Sequence, residues 1–272
     1  MNNPAPWIDL KGAVNVRDLG GLTTTSNGVT RYGRLLRAGS LQDLTADDVE
    51  LLTRSLNVRD VVDLRSAAEV RRTGPGPLTH IPGVRIQQLS LFAEGGVKPR
   101  AATESASHPD KVDVGRALPW NTSAERGRTK PMGSTGHYLR YCTERPDSVV
   151  AALRIIARGT GATVVHCAVG KDRTGVVCAL ALEAVGVSRD AIVADYVRSG
   201  ERITEIVARL RSNPLYAADM AARPLSSLVP RPAYMHDLLD AIDERFGGVR
   251  RWLTRHGWTE DDHRALRSHL LE

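Results

Sequence analysis

The chain has 272 residues, with 37 Lys+Arg against 31 Asp+Glu and a formal net charge of +6. That length fits one large domain or two small ones, at roughly 150 residues each. With 42% of its residues hydrophobic it is not disordered throughout, and its longest mid-chain apolar run, 176–182, is far short of the ~20 residues of a membrane span.

The opening residues MNNPAPWIDL lack a basic segment followed by an apolar one, so no signal peptide is expected. A cytoplasmic location is the default expectation, with signal-less export as the alternative. Cys142, Cys167 and Cys178 neither form a disulfide framework nor show Cys/His metal spacing. The basic charge is carried by 32 Arg and five Lys spread along the chain. No dense basic block interleaved with aromatics stands out, so nucleic acid is not an expected partner.

In chain order, the N-terminal part reads as short strands and turns around Asn27-Gly28. Thr45 caps a helix over 46–56, with Asp47 and Asp48 in its first turn. Residues 60–64, DVVDL, fit a buried parallel strand. A short helix over 67–72 stops at Gly74-Pro75-Gly76-Pro77, and 84–91 is a further strand. Residues 92–133 are rich in Gly, Pro, Ser, Thr and Arg and too long for an ordinary connection; they read as a mobile lid or insertion.

Regularity returns at 137–142 and at 148–158, with Asp147 as an N-cap after Pro146. ATVVH, 162–166, is a strand, and 167–173 is a loop. An apolar helix follows over 174–185. Ser188 caps a helix over 189–198, and further helices begin near Glu201, Pro232 and Glu260. Strands alternating with helices predict an α/β fold: a parallel-rich central sheet flanked by helices, with a helical C-terminal part. No linker divides the chain, so 1–272 reads as a single domain.

The chemistry concentrates in His166-Cys167-Ala168-Val169-Gly170-Lys171-Asp172-Arg173-Thr174-Gly175. In a chain this rich in Arg, a Cys with Arg six residues later proves little by itself. The context carries the argument: a β-branched strand delivers the Cys, Gly permits a tight loop, and Arg opens a helix. Backbone N–H groups of Ala168, Val169, Gly170, Lys171, Asp172 and Arg173 can converge on one anion. Arg173 can grip two phosphate oxygens with its planar fork. The same field stabilises a Cys167 thiolate, placed for in-line attack on phosphorus. A nucleoside-triphosphate loop is excluded, because Val165 and Asp172 stand where Gly and Ser/Thr are required.

HCAVGKDRTG resembles the signature of the cysteine-based protein tyrosine and dual-specificity phosphatases, in their bacterial branch. Asn15-Val16-Arg17-Asp18-Leu19-Gly20-Gly21, Arg34 to Ser40, Asp63-Leu64-Arg65 and Asp195-Tyr196 resemble that branch too. The resemblance implies Cys167 as nucleophile, Arg173 as phosphate clamp and Thr174 as hydrogen-bond donor to the sulfur. It implies that His166 orients the loop and that Lys171 adds charge at its mouth. Such loops act on phosphoproteins, and a Lys at this place resembles those that accept phosphoinositides. The implied fold is phosphatase-like, and no metal or organic cofactor is expected.

The general acid stays open. There is no Trp-Pro-Asp tripeptide; Trp120 follows Pro119 and precedes Asn121. The resemblance points to Asp172 inside the loop. Asp63 competes from the carboxyl end of a strand, where α/β sites form, and it could instead accept from loop N–H groups or Arg65. A lid acid such as Asp110 or Asp113 is the third candidate. The Asn15–Gly21 segment could support the loop or touch substrate. Cys178 reads as core, and Cys142 as an inert thiol or a disulfide partner for Cys167. Two rival functions remain: a catalytically silent phosphate-binding module, and sulfur-transfer or reductase chemistry at Cys167.

Overall fold

The β-branched runs build the sheet. In the computed structural model, which describes residues 6–93, 134–221 and 223–272, five strands pair in one sheet. They are β1 (Arg17–Asp18), β2 (Leu35–Ala38), β3 (Val58–Asp63), β4 (Arg85–Gln88) and β5 (Ala162–His166), in the order β1-β2-β5-β3-β4. β1 runs antiparallel to β2, and every other neighbour is parallel. The expected insertion at 92–133 lies outside the described residues apart from Phe92 and Ala93, as do Asp110 and Asp113.

β5 is last in sequence and central in space, between β2 and β3. All five of its residues are buried, which is why ATVVH does not alternate with polar residues. The pleat divides neighbours between two cores. Leu35, Val62 and Val165 face the larger core, and Leu36, Val61 and Val164 the smaller one. Each such Val or Leu contributes roughly 1.5–3 kcal/mol by leaving water. β4 is shorter than the expected 84–91, and its outer position leaves most of its residues exposed.

The helices begin where the caps place them. Thr45 and Asp48 close a capping box on α1 (Ala46–Glu50), which continues as a wider π-helical stretch over Leu51–Ser55. Ser66 and Glu69 close another on α2 (Ala67–Thr73). Then come α3 (Ser134–Glu144) and α4 (Pro146–Ala157). The N-cap of α4 is Arg145, not Asp147. Pro146 takes the first helical position, where its missing N–H costs nothing. Asp147 falls in the first turn and pairs with Arg145 at 2.8 Å.

α5 (Asp172–Ala184) starts two residues before the expected Thr174 and is buried on almost every side. α6 (Arg189–Arg198) is capped by Ser188 as expected. The C-terminal part holds α7 (Ile203–Ser212), α8 (Ala217–Ala221), α9 (Pro232–Phe246), α10 (Val249–Arg255) and α11 (Glu260–Leu270). The seven-residue α10 was not expected; it is too short to show a helical period. The result is the parallel-rich α/β sheet flanked by helices that the alternation of strands and helices predicted. Among the described residues no helix is long and apolar enough to cross a membrane.

Candidate active site

Residues 167–171 join the carboxyl end of β5 to the start of α5. Their carbonyls are held from outside. Ser40 N–H donates to Ala168 O at 3.1 Å, and Asn15 Nδ2 donates to Val169 O at 2.9 Å. Arg37 Nη2 donates to Gly170 O at 2.7 Å and to Lys171 O at 3.3 Å. In a planar trans peptide the N–H points opposite to the C=O. Donors that draw these carbonyls outward therefore turn the intervening N–H groups inward, which builds a nest for an anion. Gly170 N–H already donates to Cys167 Sγ at 3.3 Å. Gly170 itself has φ +68°, and a Cβ there would lie 2.4 Å from Ala38 O, so the turn requires glycine.

The outer donors share one buried anchor. Asp195, on α6, receives Arg17 Nε at 2.7 Å and Arg37 Nη1 at 2.5 Å. Arg17 Nη1 also donates to Asn15 Oδ1 at 2.6 Å. The Asn15–Gly21 segment thus supports the loop and does not line the cavity. Burial would raise the Asp195 carboxyl, but the charges of Arg17 and Arg37 outweigh it and hold the group below its usual range.

Arg173 is gripped by a residue that motif reading missed. Its Nη1 and Nη2 donate to Glu69 Oε2 and Oε1 at 2.7 and 2.9 Å. Glu69 is 0% exposed and also accepts from Ser66 N–H and from Tyr216 Oη at 2.9 Å. Burial pushes its carboxyl up, yet Arg173 holds it below the usual value. The Ser66-x-x-Glu69 spacing is a readable capping signature. Nothing in it shows that the carboxylate also reaches Arg173.

His166 and Asp63 stand behind the loop. His166 Nε2 lies 3.6 Å from Asp63 Oδ1, and its Nδ1 lies 3.4 Å from Cys167 O. Burial lowers the imidazole below its ordinary value, which favours the neutral ring. Asp63 is bound bidentately by Arg65, with Nη2 to Oδ2 at 2.6 Å. Burial would raise Asp63, but the hydrogen bonds and charge of Arg65 hold it below the usual carboxylate range. It is ionised, paired and absent from the cavity wall. Asp63 thus stands in the Arg65 pairing that was one of its expected readings, away from the cavity wall. The expected Thr174-to-sulfur hydrogen bond is corrected. Thr174 Oγ1 is buried without a hydrogen-bond partner among the described residues.

Asp172 opens α5 and accepts a hydrogen bond from Tyr138 Oη. Lys171 Nζ lies 3.6 Å from its Oδ1 and donates to Leu228 O at 2.6 Å. A cavity of about 400 Å³ collects these groups. Cys167, Ala168, Val169, Lys171, Asp172 and Arg173 line it. Phe92, Tyr141 and the apolar face of α7 complete the wall. Gly170, His166 and Thr174 sit outside the lining.

Cys142 and Cys178 are buried, and burial pushes both thiols up to about 12. Neither lines the cavity. Among the described residues no cluster of three His, Cys, Asp or Glu could hold a metal ion.

The chain is similar in sequence to known proteins. A family model for the tyrosine phosphatase family matches residues 8–272. The triple specificity protein phosphatase PtpB of Mycobacterium tuberculosis is 31% identical, covering 97% of this chain and 98% of that protein. A tyrosine-protein phosphatase candidate of Cupriavidus necator is also 31% identical, over 94% of this chain and 85% of its own. A tyrosine-protein phosphatase of Nostoc commune is 27% identical over 86% of this chain and 73% of its own. These matches run through the loop, the strands and nearly the whole length, and the chain belongs to the tyrosine phosphatase family.

Proposed function

We propose that this phosphatase hydrolyses phosphate monoesters, phosphotyrosine foremost, through a cysteinyl-phosphate intermediate on Cys167. The observation that carries the reading is the loop itself. Four consecutive carbonyls, of residues 168–171, are tied from outside, which leaves the cysteine and Arg173 at the lined face. In the first step the Cys167 thiolate forms a bond to phosphorus as the ester P–O bond breaks. Asp172 gives its proton to the leaving oxygen. In the second step water attacks phosphorus, Asp172 takes its proton, and the S–P bond breaks to release phosphate and the thiolate. Arg173 and the loop amides stabilise the charge on the transferring oxygens, so turnover needs no metal.

Depth supports phosphotyrosine. Cys167 is 1% exposed at the floor of the cavity, and Phe92 and Tyr141 line its wall. A phenyl ring spans that depth better than a serine methylene does. Phosphoserine, phosphothreonine and phosphoinositides are the wider substrates that the name of the triple-specificity relative and Lys171 suggest. A single phosphatase domain spanning the chain carries this activity.

The test is p-nitrophenyl phosphate turnover in EDTA, wild type beside Cys167→Ser. Turnover that survives EDTA and is lost in the folded variant is the expected result. A folded, reduced wild type without turnover overturns the reading. Phosphopeptide binding would then favour a silent phosphate-binding module, and activity on thiosulfate or arsenate would favour sulfur-transfer or reductase chemistry.

A further inference from the structure

We infer that Tyr138, directed by Tyr196, is a positioning residue that fixes the carboxyl of Asp172 for proton transfer to the leaving group. The inference rests on the proposed role of Asp172 and deepens it. Three helices meet at this point: Tyr138 lies on α3, Asp172 opens α5 and Tyr196 lies on α6. Tyr138 Oη donates to Asp172 Oδ1, and the Tyr138 and Tyr196 hydroxyls are 2.7 Å apart. Both tyrosines are buried, at 2% and 1% exposure.

The direction of the chain follows from counting protons. A phenol has one proton to donate, and a carboxyl that carries its own proton on Oδ2 still accepts at Oδ1. The proton of Tyr138 is committed to Asp172, so Tyr196 supplies the proton between the two hydroxyls. Tyr196 thereby keeps the Tyr138 hydroxyl aimed at Oδ1. Oδ1 is occupied, which leaves Oδ2 as the oxygen that carries the transferable proton. When that proton leaves, the new negative charge meets a donor already in place and needs no reorganisation. Lys171 Nζ sits at 3.6 Å from Oδ1, beyond hydrogen-bond distance, and donates to Leu228 O.

The Tyr138 ring cannot easily swing away. It packs edge-on to Tyr196 at 6.2 Å and to Tyr234 at 6.5 Å, and stacks on Tyr141 at 6.3 Å. Burial, with Asp172 and Tyr196 beside it, pushes the phenol far above its ordinary value, so it remains a donor. A ring that only filled the core would need no hydroxyl. This one has a buried hydroxyl, and the chain of bonds through it ends on Asp172.

The experiment compares kcat/KM on phenyl phosphate and on 2,4-dinitrophenyl phosphate for wild type, Asp172→Ala, Tyr138→Phe and the double variant. This constant reports P–O cleavage, and only the basic phenoxide needs an acid. We expect Tyr138→Phe to lose about tenfold on phenyl phosphate and less than about twofold on the dinitrophenyl ester. Added to Asp172→Ala, it should cost nothing more on phenyl phosphate. Equal loss on both esters, no loss on either, or additive loss in the double variant overturns the role of Tyr138. If Asp172→Ala itself loses equally on both esters, the general-acid reading of Asp172 falls and this inference with it. If Tyr138→Phe does not fold, Tyr196→Phe decides by the same comparison, with about threefold loss expected on phenyl phosphate alone.

Discussion

Two buried arginine–carboxylate clusters flank the loop, and they use the same chemistry for different ends. On one side Asp195 binds Arg17 and Arg37, whose remaining donors hold Asn15 and the loop carbonyls. On the other side Glu69 binds Arg173, which lines the cavity. Both carboxylates are at most 5% exposed. The first cluster is closed: its cations face protein and no cavity. The second is open on one side, where an incoming anion can share the guanidinium. A buried ion pair is weak evidence for net stability by itself. What lies on the open side of the pair tells scaffold from binding group.

The largest expected effect breaks the closed cluster. Asp195→Ala leaves two guanidinium groups buried without their counter-charge. We expect a loss of about 3–5 kcal/mol in unfolding free energy, read from the urea midpoint, and activity should fall with it. A loss under about 1 kcal/mol would mean that water or another acceptor replaces Asp195, and the scaffold role would fail.

The open cluster should behave differently. Glu69→Gln keeps an acceptor for Ser66 N–H but removes the charge facing Arg173. We expect a smaller loss, about 1–3 kcal/mol, because the cavity lets water reach the cation. Inorganic phosphate sharpens the contrast. A ligand at 100 times its Kd stabilises the wild type by about 2.7 kcal/mol. Glu69→Gln should gain more than that, since the anion replaces the missing counter-charge. Asp195→Asn should gain no more than wild type, since no phosphate reaches Arg17 or Arg37. Equal gains in all three proteins, measured as melting shifts at one common phosphate concentration, would erase the distinction.

These clusters also show what the sequence made legible. The strand, loop and helix of HCAVGKDRTG are local, so β-branching, glycine and the Arg-Thr-Gly exit placed them correctly. Ser188 capped its helix for the same reason. Family resemblance supplied the role of the loop, and it drew attention to Arg17, Asp63 and Asp195 without saying what they bind. Glu69 reaches Arg173 across 104 residues, Tyr216 reaches Glu69 across 147, and Tyr138 reaches Asp172 across 34. No period or cap announces such contacts, because they exist only once the helices pack. Asp63 was left between two readings because strand ends do collect catalytic carboxylates, and the bidentate Arg65 shows that this one is engaged. Thr174 misled: its place in the motif was right, and its hydroxyl is without the expected bond.

The smallest effect is the pH dependence of stability, and its sign follows from the carboxylates. Asp195, Asp63 and Glu69 are all held below their ordinary values of 3.8, 3.8 and 4.5. A carboxyl depressed in the folded state binds fewer protons there than in the unfolded chain. Its stabilisation is therefore complete above the ordinary value and is lost as pH falls toward the folded one. Stability from these groups should stay level near neutrality and decline below about pH 4. Asp195→Asn removes one such group, so its acid decline should be shallower than that of the wild type even though it starts lower. Glu69→Gln should flatten the decline too, and its deficit at neutral pH should shrink when phosphate is present. Chemical denaturation midpoints at about pH 7, 5 and 3 distinguish these curves. Parallel curves for wild type and Asp195→Asn would mean that Asp195 titrates as an ordinary exposed acid, which its pairing with two buried arginines does not allow.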